Sequence, residues 1–201
     1  MKIKAIIFDA DDVLIIKEKM FSQHLEEDYG ISREKISDFF TGDFQKCLVG
    51  KADLKEELKK KITEWGWKGS VEQLLDYWFK VEHHIDEQLV EFIRELKSRK
   101  IKCYLGTNNE KYRTEYIRDE MGFSKILDKV FSSAEIGHKK PSSEFFESMF
   151  HDIEKTDEIE RGEVLFVDDD PENIEAAKKF GFQTHLYNNF HDFENLIDQL
   201  L

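Results

Sequence analysis

The chain has 201 residues, of which 40% are hydrophobic, and its 30 lysines and arginines stand against 43 aspartates and glutamates. This length and apolar fraction indicate a folded protein with a sizeable core, built as one domain or as one domain with an insertion. The net charge of −13 argues against non-specific binding to nucleic acid or to an anionic membrane, because both depend on cationic patches.

The first predicted element is a short strand that ends in a cluster of acidic residues. Residues 4–8 are typical of a fully buried strand of a parallel sheet, and Asp9, Asp11 and Asp12 follow them. Open α/β sheets bind ligands beyond the carboxyl ends of their strands, so these carboxylates either lie in a solvated turn or bind a cation. Asp9 and Asp11 converge only if the chain bends directly after the strand.

The segment 16–84 is predicted to be a separate helical unit inserted after this strand. It contains no convincing strand, and its apolar residues recur with helical spacing. Asp53 with Glu56, and Ser70 with Gln73, have the spacing of helix-capping boxes. Four glycines fall between the predicted helices: Gly42, Gly50, Gly66 and Gly69.

The rest of the chain alternates predicted strands with predicted helices. The further strands are expected at 101–105, 129–131, 164–167 and 183–187. An apolar stripe with helical spacing runs from Ile85 to Leu96. Asp170 and Pro171 are typical of a helix start, and that helix is expected to stop at Gly181. The alternation predicts an α/β fold with a parallel sheet.

Polar residues follow these elements in a defined order. The groups are Asp9 with Asp11, Thr107 with Asn108, Lys140 with Pro141, and Asp168 with Asp169. Each group has an ordinary alternative when taken alone. Thr107 and Asn108 could cap the next helix, Lys140 could be a solvated cation, and the acids from Asp168 to Asp170 could cap a helix.

Together these groups resemble the four motifs of the haloacid dehalogenase superfamily of phosphohydrolases. The resemblance covers residues 1–15 and 85–201, and it implies a Rossmann-like three-layer core domain. The segment 16–84 stands where the family carries its helical C1 cap domain. The amino-acid sequences of the cap and of the stretch 85–109 are similar to those of one branch of the family. This branch contains glucose-1-phosphatase-like enzymes and the phosphatase domain of epoxide hydrolases.

The resemblance implies roles for the first two carboxylates. Asp9 would be the nucleophile that attacks phosphorus and forms an aspartyl phosphate. Asp11 would be the general acid that protonates the leaving alcohol, and then the base that activates water. Two nearby carboxylates share the work in this way only if their environments separate their pKa values.

It also implies a metal site and a phosphate site. Mg²⁺ would be held by Asp9, the backbone carbonyl of Asp11 and Asp169, with Asp168 outside the direct ligands. The Thr107 hydroxyl and the Asn108 backbone N–H would bind phosphate oxygens. Lys140 would neutralise the charge that spreads over these oxygens.

Two positions near the first strand help to separate activities within the family. Its dehalogenases lack the acid two residues after the nucleophile and work without a metal, so the presence of Asp11 favours a phosphatase. Asp12 stands where the family commonly has glycine. Aspartate tolerates turn conformations better than most residues, and we interpret Asp12 as structural.

The cap is expected to close over the site, exclude water and select the substrate. Lys51, beside Gly50, is a candidate contact for the leaving group, with a solvated surface lysine as the alternative. Trp65, Trp67 and Trp78 are predicted to form the core of the cap rather than a stacking platform.

The sequence thus predicts a Mg²⁺-dependent phosphomonoesterase acting on a small phosphorylated metabolite, with a sugar phosphate as the favoured substrate. A phosphomutase of the β-phosphoglucomutase type and a catalytically idle binding protein on the same scaffold are the alternatives. No nucleic acid or membrane partner is expected, and the choice between monomer and homodimer stays open.

The protein is expected to be cytoplasmic. The N-terminal apolar stretch ends at Asp9, which is too short for a signal peptide, and no run approaches the roughly 18 apolar residues of a membrane span. Cys47 and Cys103 are too few for a disulfide framework and are interpreted as reduced, buried thiols.

Overall fold

A computed structural model describes residues 2–201. Its centre is a sheet of five parallel strands in the order β3-β2-β1-β4-β5. The strands are β1 Ala5–Phe8, β2 Lys102–Thr107, β3 Lys129–Ser132, β4 Val164–Asp168 and β5 Gln183–Leu186. All five predicted strands are confirmed, with ends that lie within two residues of the expected positions.

The position of β1 explains its apolar sequence. It lies in the middle of the sheet, between β2 and β4, and all four of its residues are buried. A strand that is covered on both faces carries no alternating polar residues. Phe8 pairs with Leu105 on one side and with Val167 on the other, so the three strands end at the same edge of the sheet. This edge is where the strand order reverses, the usual ligand position of an open α/β sheet.

Five helices follow β1 and form the predicted helical unit, here called the cap. They are α1 Phe21–Tyr29, α2 Arg33–Thr41, α3 Asp43–Cys47, α4 Leu54–Trp65 and α5 Val71–Val81. The cap has its own hydrophobic core, in which Trp65 and Trp78 are buried and against which Trp67 packs. The Ser70 capping box with Gln73 is confirmed at the start of α5. The exact limits at residues 16 and 84 stay a prediction.

The remaining helices cover both faces of the sheet. They are α6 Glu87–Ser98, α7 Lys111–Asp119, α8 Phe123–Ile126, α9 Ser133–Ile136, α10 Ser143–Thr156, α11 Pro171–Phe180 and α12 Phe190–Leu200. Two separate apolar clusters fill the two interfaces, one with residues of α6, α7 and α12 and the other with residues of α10 and α11. The predicted three-layer α/β architecture is therefore confirmed. The helix predicted after Asp170 is α11, and it ends before Gly181 as expected.

Two chain segments join the cap to the core, and they lie side by side. Ile15 bridges to Ile85, the Ile16 N–H donates to the His84 carbonyl at 2.8 Å, and the Asp86 N–H donates to the Leu14 carbonyl at 3.0 Å. We call these paired segments the hinge. Through them, the end of the β1 loop is connected directly to the cap.

Two further features concern the helices and the cysteines. Every helix among residues 2–201 is too short or too polar to cross a bilayer. Cys47 and Cys103 are buried and unpaired, as predicted.

Candidate active site

The chain bends sharply after β1, as convergence of Asp9 and Asp11 requires. The N–H groups of Leu14 and Ile15 both donate to the Ala10 carbonyl, at 2.9 and 2.8 Å. Asp12 adopts the left-handed conformation within this turn, with a φ of 59°. Glycine adopts this conformation most readily, and aspartate is among the few other residues that tolerate it. The structural interpretation of Asp12 agrees with this geometry.

Lys140 is buried between two carboxylates. Its Nζ atom lies 2.8 Å from Asp9 Oδ1 and 2.7 Å from Asp168 Oδ2. The Lys140 and Asp168 side chains are 1% and 0% exposed, so the alternative of a solvated loop cation is wrong. Burial acts to lower the pKa of Lys140, but the two carboxylates outweigh it and raise the pKa. A permanently charged ammonium group is thus held at the carboxyl edge of the sheet.

Asp9 has an unusual electrostatic environment. Its Oδ1 atom also accepts the Ala10 N–H at 2.7 Å. Burial is the main cause that raises the pKa of Asp9 to about 7, with repulsion from Asp168 and Asp11 adding to it and Lys140 opposing it. A cation at this site would favour the ionised carboxylate and lower that pKa.

Three carboxylates could hold such a cation. One oxygen atom of each of Asp9, Asp168 and Asp169 lies within 4.8 Å of the others. These hard oxygen donors suit Mg²⁺. Burial and the neighbouring Asp168 raise the pKa of Asp169, so a cation would relieve repulsion here too. The side chain of Asp11 lies outside this group, and a contribution from its backbone carbonyl stays a prediction.

Asp168 is engaged by several donors of its own. Besides Lys140, its oxygens accept the Asp170 N–H at 2.9 Å and the Asn173 amide at 3.0 and 3.2 Å. These bonds fix the orientation of the Asp168 carboxylate beside Lys140 and the loop that follows β4. A place for Asp168 outside the direct metal ligands stays a prediction. Asn173 was not singled out by the sequence analysis as a site residue.

Asp11 has an ion-pair partner near one oxygen and a hydrogen-bond donor at the other. Lys17 Nζ lies 3.1 Å from Oδ1, and the Asn109 amide donates to Oδ2 at 3.3 Å. Burial acts to raise the pKa of Asp11, but the charges of Lys17 and Arg113 outweigh it and lower the pKa. Lys17 and Asn109 were missed by the sequence analysis. Asn109 directly follows the Thr107-Asn108 pair, which is a usable signal, whereas nothing in the pattern around Lys17 points to Asp11.

Thr107 ends β2 and is 1% exposed. Its hydroxyl oxygen accepts the Asn109 amide at 2.7 Å, which leaves the hydroxyl proton available for an anion. The alternative that Thr107 and Asn108 cap the next helix is wrong. The N-cap of α7 is Glu110, whose carboxylate accepts the Tyr112 and Arg113 N–H groups.

Asn108 connects β2 to the loop that carries Lys140. Its side-chain amide donates to the Lys140 carbonyl at 3.0 Å and accepts the Lys140 N–H at 2.9 Å. From the sequence, the backbone N–H of Asn108 was expected to bind phosphate. The side chain therefore has a structural task that was not predicted, which is to hold the Lys140 backbone beside the end of β2.

We expect Asn108→Ala to lower the free energy of unfolding by about 1–3 kcal/mol, because two backbone groups of Lys140 lose their partner. Urea denaturation followed by tryptophan fluorescence measures this change. Asn188→Ala is the matched control, since Asn188 is exposed and its amide bonds only to the Leu186 carbonyl two residues earlier. Equal midpoints for the two variants would contradict the assignment.

The cap packs against the site edge through several polar contacts. Lys139, next to Lys140, donates to Gln45 of α3 at 2.5 Å, and the Tyr112 hydroxyl donates to Asp53 at 2.7 Å. The backbone of Gly50 lies so close to the core that any side chain would collide with the Ala134 carbonyl. The cap is therefore in contact with the core in this conformation.

Lys51 lines a cavity of about 510 Å³ between the cap and the core. The lining includes the acidic residues Glu110, Glu115 and Glu135. The lysine is exposed there. A contact between Lys51 and a substrate stays a prediction.

Known proteins resemble this chain over almost its full length. A model described as haloacid dehalogenase-like hydrolase matches residues 3–181. The D-ribitol-5-phosphate phosphatase of Bacteroides thetaiotaomicron is 25% identical over 208 residues, which cover 99% of this chain and 98% of that protein.

Solved structures show the same fold. A haloacid dehalogenase family enzyme from Bacteroides thetaiotaomicron superposes with a TM-score of 0.82 and 20% identity, covering 98% of this chain and 99% of that one. The wild-type form of that enzyme in complex with magnesium and inorganic phosphate gives a TM-score of 0.81 and 20% identity, covering 96% of this chain and 98% of that one.

Proposed function

The chain belongs to the haloacid dehalogenase-like hydrolase family, and from that membership we propose that it is a Mg²⁺-dependent phosphatase that works through an aspartyl phosphate on a small sugar or sugar-alcohol phosphate. The observation that carries the proposal is the buried Lys140 ammonium between Asp9 and Asp168, with Asp169 alongside. This arrangement provides a nucleophile, a charge that attracts phosphate, and oxygen donors for a metal at one edge of the sheet.

The first step is phosphoryl transfer to Asp9. A carboxylate oxygen of Asp9 attacks phosphorus, the bond from phosphorus to the leaving alcohol breaks, and Asp11 gives its proton to that alcohol. The Thr107 hydroxyl, the Asn108 N–H and Lys140 hold the phosphate oxygens that do not react. Asp9 and Asp169 would hold Mg²⁺ together with the Asp11 carbonyl, and the ion supplies charge that offsets the repulsion between carboxylate and phosphate.

The second step restores the enzyme. Asp11, now ionised, removes a proton from water as the water attacks phosphorus, and the bond from phosphorus to Asp9 breaks. Inorganic phosphate and the free Asp9 carboxylate are the products. The same residue acts as acid and then as base, so its proton is returned at the end of each turnover.

The two carboxylates begin from different charge states. Without a cation, the pKa of Asp9 is raised to about 7, and a bound cation would bring it to the ionised form that a nucleophile needs. The pKa of Asp11 is lowered in the substrate-free protein because of Lys17 and Arg113. An arriving phosphate dianion disfavours further negative charge nearby, and this raises the pKa of Asp11 toward the protonated form that a general acid needs.

The proposed substrate class is supported by the relative that matches along the whole chain, a D-ribitol-5-phosphate phosphatase. Neither alternative has comparable support. The residues expected for turnover are all present at the site, which disfavours an idle binding protein. No feature among residues 2–201 favours transfer to a second sugar hydroxyl, as a phosphomutase would require.

Phosphate release from a panel of phosphomonoesters tests the proposal. The panel includes D-ribitol 5-phosphate, several sugar phosphates and p-nitrophenyl phosphate. We expect release to fall at least about 100-fold when Mg²⁺ is removed with EDTA, since the metal offsets charge in the transition state. Adding excess Mg²⁺ back is the control and should restore the rate.

Release that is unchanged by chelation would contradict the metal-dependent mechanism. Glucose 1-phosphate in the panel separates the alternatives, because a phosphomutase would convert it to an isomeric sugar phosphate without net release. Absence of any conversion across the panel, with no binding of Mg²⁺ or phosphate, would favour the idle scaffold.

A further inference from the structure

Asn109 lies between the end of β2 and the start of α7, and its buried side chain faces the site. The amide nitrogen donates to Thr107 Oγ1 at 2.7 Å and contacts Asp11 Oδ2 at 3.3 Å. Two oxygen atoms therefore lie on the nitrogen side of the amide, which acts as a donor toward both. Asn109 has no task in the reaction steps described above.

The backbone of Asn109 is held in place by the segment that follows β3. Its carbonyl oxygen accepts the Ala134 N–H and the Ser133 hydroxyl, both at 3.4 Å. Ser133 is fully buried, so water does not compete for this contact. A residue whose backbone and side chain are both engaged is fixed before any ligand binds. The Asn109 amide is thus presented to Thr107 in one orientation.

The hydrogen bond from Asn109 limits the directions in which the Thr107 hydroxyl group can point. A hydroxyl group has one proton to donate, and its oxygen accepts through its lone pairs. Because the amide occupies a lone pair of Thr107 Oγ1, the proton points away from Asn109. Among residues 2–201 this hydroxyl donates to no acceptor, although Thr107 is only 1% exposed. A buried donor without an acceptor is costly, and a phosphate oxygen would satisfy it.

A neighbouring hydroxyl at the same edge of the sheet lacks such a partner. Ser132 of β3 is the register partner of Thr107 and is fully buried. Its Oγ atom makes no hydrogen bond within the described chain, residues 2–201. Of these two hydroxyl groups, only that of Thr107 has a donor that sets its direction. The contact with Asn109 is therefore a specific feature of Thr107.

We propose that Asn109 is a positioning residue that fixes the Thr107 hydroxyl group as a hydrogen-bond donor toward the phosphate. The amide also polarises the hydroxyl, because a group that accepts one hydrogen bond becomes a better donor of the next. The orientation exists before the substrate arrives, so it costs no reorganisation during the reaction. This inference rests on the proposed function, which places phosphate beside Thr107.

A double-mutant cycle separates this role from general support of the loop. The measured quantity is the dissociation constant of inorganic phosphate in saturating Mg²⁺, obtained by isothermal titration calorimetry. Thr107→Val removes the hydroxyl group at nearly constant size, whereas Thr107→Ser keeps it. Asn109→Leu then removes the amide from the wild-type protein and from each of these two variants.

We expect Thr107→Val to weaken phosphate binding about 10-fold or more, because a hydrogen bond to a charged group is lost. Asn109→Leu should weaken it about 3- to 10-fold when threonine or serine stands at position 107. In the Thr107→Val background the same change should have less than about a 2-fold effect. Asn195→Leu, at an exposed position of α12, is the matched control and should leave binding unchanged. Asn109→Ala, made alongside, keeps the test available should the leucine variant not fold.

An equal loss in the threonine and valine backgrounds would overturn the proposal, because general support of the loop does not depend on the hydroxyl group. Unchanged binding in every background, or no phosphate binding by the wild-type protein, would overturn it as well. Phosphate release separates this inference from the proposed function. If the wild-type protein hydrolyses esters with Mg²⁺ but the cycle shows no coupling, only the inference fails. If it binds phosphate with the expected coupling but hydrolyses no ester, only the proposed function fails.

Discussion

Asp9→Asn is expected to reduce phosphate release by about 10⁴-fold or more, since an amide cannot replace the carboxylate as the nucleophile. Asparagine has nearly the same size, and its carbonyl oxygen still accepts a hydrogen bond from Lys140. The fold should therefore persist. Release of phosphate from the best substrate of the panel, in saturating Mg²⁺, measures the effect.

The same substitution is expected to stabilise the metal-free protein at alkaline pH. The folded-state pKa of Asp9 is about 7, above its usual value of 3.8, so folding favours the protonated form. Its contribution to stability is present at low pH and is lost as the pH rises toward and through 7. At pH 8 with EDTA, Asp9→Asn should raise the free energy of unfolding by about 1–2 kcal/mol.

Thermal unfolding with and without Mg²⁺ completes this test. Mg²⁺ should stabilise the wild-type protein and have much less effect on the Asp9→Asn variant, because a ligand stabilises only the state that binds it. Asp12→Asn is the matched control. Asp12 is exposed, and asparagine tolerates its left-handed backbone conformation. Turnover retained by Asp9→Asn would exclude Asp9 as the nucleophile.

Lys140→Met is expected to lower both stability and activity. Removal of the ammonium group leaves the Asp9 and Asp168 carboxylates buried without their cation. Breaking a buried ion pair from one side costs about 3–5 kcal/mol. Loss of a charge that stabilises the transition state lowers kcat by about 10²- to 10³-fold. Urea denaturation and phosphate release measure the two effects.

The loss of stability should be smaller in Mg²⁺ than in EDTA, since a bound cation restores positive charge beside the same carboxylates. Lys139→Met is the control for stability. Lys139 is only partly buried and makes a single side-chain hydrogen bond, to Gln45, so its removal should cost about 1 kcal/mol. A Lys140→Met protein as stable as the control would show that the buried ammonium group is not needed to balance the carboxylates.

Much of the fold can be predicted from short stretches of the sequence. Segment 4–8 is continuously apolar because β1 is covered on both faces, and this pattern is visible without the structure. The start of α11 is equally local, since Asp170 caps the helix with its own side chain and Pro171 fits the first helical position. The helical character of the cap follows from the spacing of its apolar residues.

The principal polar residues of the site were also predictable, because ligands of a parallel sheet bind where its strands end. Asp9, Thr107 and Asp168 each stand at the end of a predicted strand. Their role as a group followed from the resemblance to a family, since each of them alone has an ordinary explanation. The start of α7 illustrates the limit of local reasoning. The sequence offered Thr107 and Asn108 as possible caps of this helix, whereas the structure shows that Glu110 caps it.

The sequence by itself determined the elements, their order and the polar residues at the strand ends, because these depend on neighbours within a few positions of the chain. Only the tertiary structure decided which distant groups touch. Lys140 lies between Asp9 and Asp168 because β1 and β4 are adjacent in the sheet. Asn108 binds the Lys140 backbone, and Lys17 reaches Asp11, through loops whose paths no periodicity encodes. Contacts between side chains far apart in sequence depend on packing and burial, and these exist only once the whole chain has folded.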